Sequence, residues 1–168
     1  MRLGRVFYII VILICVFEVV RLWYITPAQM AAHFDIQGNP DRFVLKSEFF
    51  GYQLQTMLIV VGTSLLPQLL LFVLPVSFIN MPNREYWLSP EHRDETVDRL
   101  SEFAAIMFGI ILLTIQIGFE ISAYANLQMP IVFNAKLMLT AMIISFILIG
   151  IMLVQLTFSF RLSALKKD

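Results

Sequence analysis

Residues 131–158, IVFNAKLMLTAMIISFILIGIMLVQLTF, contain one charged side chain, Lys136. A helix needs about 20 predominantly apolar residues, at about 1.5 Å rise each, to cross a hydrocarbon core. Three further runs reach that length, roughly residues 6–26, 54–79 and 103–125. In lipid only helices and closed barrels satisfy their own backbone polar groups, and apolar runs without alternation are not barrel strands. The expected fold is therefore an all-α membrane protein with four transmembrane helices, a single integral domain over residues 1–168 whose solvent is the lipid bilayer.

Composition agrees. Hydrophobic residues make up 59% of the chain and charged residues 14%, against about 25% charged in soluble domains. The formal net charge is zero, so nothing electrostatic favours a nucleic-acid partner. Cys15 is the only cysteine, which excludes an internal disulfide and a thiolate metal site. Arg2 and Arg5 precede the first run as they would in a signal peptide. That run is longer than a signal core and ends with Glu18 and Arg21, so it reads as an uncleaved first span.

Four spans place both termini on one side. Arg2, Arg5, Arg84, Arg93, Arg99, Arg161, Lys166 and Lys167 fall on that side, and Arg21, Arg42, Lys46 and Lys136 on the other. The positive-inside rule then predicts both termini in the cytoplasm of a bacterial inner-membrane protein. The first loop, about residues 27–50, faces outward. It contains the turn signal Gln37-Gly38-Asn39-Pro40-Asp41 between apolar flanks expected to lie in the interface as short helices or extended segments.

Pro67 and Pro75 predict a kink or break in span two, either a bent packed helix or a discontinuous one lining a cavity. Ser89-Pro90-Glu91 reads as a helix start, with serine as N-cap and proline at the first helical position. Span three is then expected to begin as a polar cytoplasmic extension and to continue to Asn126. The short link Ala125 to Pro130 makes spans three and four an antiparallel hairpin. Small residues four apart, Ala105 with Gly109, Gly118 with Ser122 and Ala141 with Ser145, permit close helix approach.

Charges inside apolar spans are costly and face the bundle. Glu18, Arg21 and Glu120 lie past their span centres toward the outer side; similar depth allows an interhelical ion pair between Arg21 and Glu120, and Glu18 and Arg21, three apart, can also pair within one helix. Lys136, Gln116 and Asn126 add polar groups at that level. Such a cluster either fixes helix register or forms an outward-facing pocket for a ligand, lipid headgroup or proton. His33, Asp35, Asn39, Asp41 and Glu48 in the outer loop are potential ligands for a cation, but their spacing matches no zinc or calcium pattern. No HExxH, GxSxG, P-loop or GxGxxG motif is present. A non-enzymatic protein without metal or cofactor is expected.

The segment His33-Phe34, Gly38, Pro40-Asp41-Arg42 and Lys46, with Asn80 and Pro82-Asn83-Arg84-Glu85-Tyr86-Trp87-Leu88-Ser89-Pro90-Glu91, resembles domain-of-unknown-function family 1648 over about residues 25–95. That bacterial membrane domain forms the N-terminal half of SdpI-like immunity proteins. The family pattern has proline where this chain has Ala31, and asparagine where it has Asp35. Spans three and four do not resemble an SdpI-type second half. The resemblance implies a bacterial membrane protein whose paired loops matter, and implies no activity.

The sequence thus points to a binding, sensing or immunity-like accessory protein, or a subunit of a membrane complex, with a homo-oligomer or membrane partner expected. The competing reading is a small transporter or permease subunit. The candidate binding residues are Glu18, Arg21 and Glu120 in the spans, and His33, Asp41, Asn80, Asn83 and Trp87 in the loops.

Overall fold

The computed structural model describes residues 3–161. Arg2, Lys166 and Lys167, which entered the orientation argument, lie outside the described residues. Four helical stretches are long and apolar enough to cross a membrane, as a multi-pass membrane protein requires. In order they are α1 (Leu3–Ile25), the pair α2 (Lys46–Thr63) and α3 (Leu66–Val73), α5 (Arg93–Ala125) and α6 (Ala135–Ser159). A short helix α4 (Arg84–Trp87) follows α3 at the end where α1 begins and α6 finishes, the terminal end.

The first loop departs from the all-α expectation. It forms an antiparallel β-hairpin, β1 (Gln29–Phe34) with β2 (Pro40–Leu45), in register Gln29 with Leu45 and Met30 with Val44. The turn falls where its residues predict. Asp35 N–H donates to the Asn39 carbonyl at 2.9 Å, and Gly38 N–H to the Asp35 carbonyl at 3.0 Å. Gly38 has φ +86°, and a Cβ there would lie 2.6 Å from the Phe133 carbonyl oxygen. Only glycine suits both demands.

Span two is discontinuous. Ser64 and Leu65 separate α2 from α3, and Pro67 stands in the first turn of α3, where its missing N–H is harmless. The Ser64 hydroxyl donates to the Val61 carbonyl at 2.7 Å, satisfying an acceptor at the break. α3 ends at Val73, before Pro75. α2 begins at Lys46, earlier than its apolar run, because Gln53 and Gln55 interrupt the hydrophobic pattern without interrupting the helix.

α5 is the spine. At 33 residues it is about 50 Å long, against about 30 Å of hydrocarbon, so it projects well beyond the membrane as expected. It packs against α1, α2, α3 and α6 and touches β1. It starts at Arg93, later than the Ser89-Pro90 signal predicts. Ser89 to His92 form a turn instead, held by the Thr96 hydroxyl donating to the Trp87 carbonyl at 2.6 Å.

The interior is apolar and closely packed. Val11 and Cys15 of α1 meet Met57 and Val60 of α2 and Leu112 of α5 at mid-span. Ala105 and Gly109 face α1, and a Cβ on Gly109 would come within 2.6 Å of the Phe7 ring. On the opposite side Met138 covers Gly118, and the hydroxyls of Thr114 and Ser145 meet at 2.5 Å between α5 and α6. No residue of α6 is buried, so this helix touches the bundle along one edge.

Gly109→Val should therefore force α1 away from α5. The expected loss is about 1–3 kcal/mol, typical of overpacking, read as a lower melting temperature in mild detergent.

Candidate functional site

The sequence-predicted residues divide between the two ends of the bundle. Glu18, Arg21, Glu120, His33 and Asp41 lie at the hairpin end. Asn80, Asn83 and Trp87 lie at the terminal end.

At the hairpin end Arg21 does not pair with Glu120. Its guanidinium binds Glu18 one turn below on α1 and donates to the Tyr124 hydroxyl at 2.9 Å, lying 5.5 Å from the Tyr124 ring centroid. Of the two pairings the sequence allows, Arg21 takes the intrahelical one, with a phenol as its α5 partner. Depth along the helices was similar, but rotation about α5 brings Tyr124, one turn further along, toward α1. An adjacent carboxylate lowers the cost of placing Arg21 within about 6 Å of the end of α1.

Glu120 belongs to a different polar chain. Gln53 Nε2 donates to Gln116 Oε1 at 2.9 Å, and Gln116 Nε2 donates to Glu120 Oε1 at 3.3 Å. Gln53 and Gln116 are buried, and the Gln53 Oε1 has no partner. With Tyr124, Gln128 and Asn134, Glu120 lines a cavity of about 410 Å³ whose walls are Ile117, Ile121, Val132 and Leu137. Tyr124 thus links Arg21 and Glu120 into one neighbourhood without a direct bond. Lys136 is exposed at the start of α6 and forms no ion pair with a described residue.

His33 and Asp41 face each other across the hairpin, His33 Nδ1 to Asp41 Oδ1 at 2.6 Å, both largely exposed. Among the described residues no three histidine, cysteine, aspartate or glutamate side chains converge as metal ligands. Asp35 caps the turn. Its carboxylate accepts from the N–H of Asn39 at 2.8 Å and of Gln37 at 2.9 Å. These bonds, the Asn39 N–H foremost, hold the carboxyl below its ordinary range.

Asn126 is the residue whose part the sequence concealed. It caps the C-terminus of α5, and its buried amide pairs with both backbone groups of Ala31. Oδ1 accepts from Ala31 N–H at 2.6 Å, and Nδ2 donates to Ala31 C=O at 3.0 Å and Ser122 C=O at 2.8 Å. The side chain thereby substitutes for a third strand on β1. Asparagine after a long helix looks like an ordinary stop signal, so nothing in the sequence distinguished it.

The terminal end is built around the last turn of α6. Asn83 Nδ2 donates to the Phe160 carbonyl at 2.9 Å, and Trp87 Nε1 to the same oxygen at 2.8 Å. Arg99 adds a bond to the Ser159 carbonyl at 3.2 Å and lies 4.8 Å from the Trp87 ring centroid. The last carbonyls of a helix have no partner within it and carry the negative end of its dipole. Three donors, one of them cationic, meet that need. Asn83 adopts the left-handed conformation, φ 52°, which asparagine tolerates. Asn83 and Trp87 therefore bind the chain's own helix end. Asn80 is exposed and lines a shallow cavity of about 520 Å³ with Ile79, Met81, Arg84 and Tyr86.

This hairpin between two spans is also where a known family is found. Residues 9–54 match the model of a domain of unknown function, DUF1648. The DUF1648 segment covers most of α1, the whole hairpin and the first half of α2. It includes His33 to Lys46, while the Asn80–Glu91 stretch lies beyond it. No curated protein and no solved structure matches the chain. Within the DUF1648 segment, the alanine at position 31 has a physical reason here. Its N–H is the donor to Asn126, and proline has none to give.

Asn126→Ala should leave the Ala31 N–H buried without a partner and its carbonyl with the Ser122 hydroxyl alone, at 3.4 Å. At about 1–3 kcal/mol per orphaned group, the variant should melt lower and its hairpin should become cleavable by added protease while the spans stay protected. Asp35 predicts a pH effect of definite sign. Because its folded-state pKa is lowered, the turn gains stability above the unfolded value of about 3.9. That gain is lost as pH falls through the lower folded value. The Asn39 amide resonance should stay constant from pH 7 to 4 and move only in stronger acid.

Proposed function

We propose that this chain is a non-enzymatic accessory protein of the bacterial inner membrane that binds a cationic amphiphile at its hairpin end. In this reading both termini are cytoplasmic and the hairpin faces outward. The observation that carries it is the division of the interior. The cavities at the two ends are separated by the apolar layer of Val11, Cys15, Met57, Val60 and Leu112. A transport pathway needs polar access past mid-membrane, and this layer opposes one. A binding protein needs a bowl at one face, and the Glu120 cavity supplies it.

The chemistry of that cavity indicates the ligand class. One carboxylate and the polar groups of Tyr124, Gln128 and Asn134 stand among Ile117, Ile121, Val132 and Leu137. A volume of about 410 Å³ suits a small ligand or the anchoring part of a larger one. Apolar walls with one acidic group favour an alkyl chain bearing an ammonium, or an apolar peptide side chain beside a basic one. Sequestering such a molecule at the outer face would be an immunity-like role. The broken span two is the feature that favours a permease subunit instead, but the break opens toward the terminal end, away from Glu120.

The test uses the protein in lipid nanodiscs with a fluorescent single-chain alkylammonium probe. Glu120→Gln should weaken binding about tenfold, the scale of one charge-assisted contact. Equal binding by the variant and the original chain would refute the assignment. Saturable uptake of the probe into proteoliposomes would favour the permease reading.

A further inference from the structure

The break in span two leaves a second cavity, of about 600 Å³, between α1, α3 and α5 at the terminal end. Its walls include Leu65, Leu69 and Phe72 of the broken span and Ala105 of α5. Polar groups border it on three sides. Gln68, with its amide turned to satisfy its neighbours, donates to the carbonyls of Ser64 and Leu65 and accepts from the Ser101 hydroxyl. Tyr8 lines the cavity, yet its buried hydroxyl has no hydrogen-bond partner. Buried donors without acceptors are rare and costly, and this one borders the cavity.

The charges at the rim alternate. Arg5, which also lines the cavity, lies between two carboxylates of α5, bonded to Asp98 at 2.8 Å and to Glu102 at 3.2 Å. A purely anionic headgroup would meet these acids as well as the arginine. A zwitterionic one is complementary to the whole rim.

We infer that this cavity is a binding site for an aminophospholipid of the adjoining leaflet. An acyl chain occupies the groove along Leu65, Leu69 and Phe72. The phosphate and ester oxygens accept from Arg5 and from the Tyr8 hydroxyl. The ammonium approaches Asp98 and Glu102. The broken helix has a function here, since a continuous α2–α3 would fill the groove. The site is independent of the Glu120 cavity and stands or falls separately.

Native mass spectrometry of the full chain released from mild detergent decides it. The probes are phosphatidylethanolamine, phosphatidylglycerol and inorganic phosphate. Phosphatidylethanolamine should be retained several-fold better than phosphatidylglycerol, and inorganic phosphate not at all. Tyr8→Phe should weaken retention about fivefold, the worth of one hydrogen bond. Leu69→Trp, at a half-exposed position of α3, should block the groove and abolish retention. Equal or better retention of phosphatidylglycerol by the unaltered chain would overturn the inference, as would undiminished lipid on the tryptophan variant. Binding of inorganic phosphate alone would identify an ion site in place of a lipid site.

Discussion

Everything in this molecule leans on α5. Lipid chains are as apolar as leucine, so two greasy helices gain little by leaving lipid for each other. Close backbone approach and polar bonds must do the work. α5 provides the first through Ala105 and Gly109 toward α1 and Gly118 toward α6. It provides the second mostly at its two ends. Near its start Arg5 is bonded to Asp98 and Glu102. At its finish Asn126 and Ser122 hold the backbone of β1. The middle relies on van der Waals packing with two polar bonds, Thr114 to Ser145 and Gln53 to Gln116, and the loops close each end.

That arrangement explains why each end has its own clamp. α6 buries no residue along its length, so lateral packing cannot fix it. Asn134 caps its first turn by accepting from Leu137 N–H at 3.0 Å. Asn83, Trp87 and Arg99 hold its last carbonyls. The hairpin is also held from two directions. Its turn accepts a bond from Phe133 N–H at 2.8 Å, and Phe34 stacks on Phe133 at 5.1 Å. The link between α5 and α6 is thereby fastened to the tip of the first loop. Lys46 completes this end by donating from Nζ to the Trp23 carbonyl at 2.7 Å, one of the orphan acceptors at the end of α1.

The spans were legible because lipid demands length and apolarity, and both are visible in a linear string. Pro67 revealed the break in span two for an equally local reason, the missing N–H. What escaped was rotation about the helix axes. In water, a buried face differs in polarity from an exposed one. In lipid both are apolar, so the sequence carries little sign of which side of α5 meets α1. Glu120 and Arg21 were matched by depth alone, and one turn of α5 separates Glu120 from the residue that Arg21 actually touches. The start of α5 was misplaced because Ser89-Pro90 satisfies every local rule. The Thr96 bond to the Trp87 carbonyl, a tertiary restraint, overrides them. Asn83 and Trp87, candidate binding residues from the sequence, have the chain's own backbone as their partner here, which no spacing rule announces.

The DUF1648 segment gains a structural meaning from the same logic. It ends at residue 54, within α2, and so contains two helices and the hairpin between them. α2 packs on both the hairpin and α1, while α1 packs far more extensively on α5 than on α2. Ala31, inside the segment, depends on Asn126, outside it. The buried Gln53, also inside, depends on Gln116. In this chain two buried polar groups of the matched region therefore find their partners on a third helix. A partner helix that presents an asparagine amide to the backbone at position 31 and a glutamine to position 53 would meet that requirement as well as α5 does. With proline in place of Ala31 the N–H would be gone and only the carbonyl would remain to be bound, so the completing helix would need a donor there and no acceptor. The exchange of one residue in the hairpin thus changes what the neighbouring span must offer.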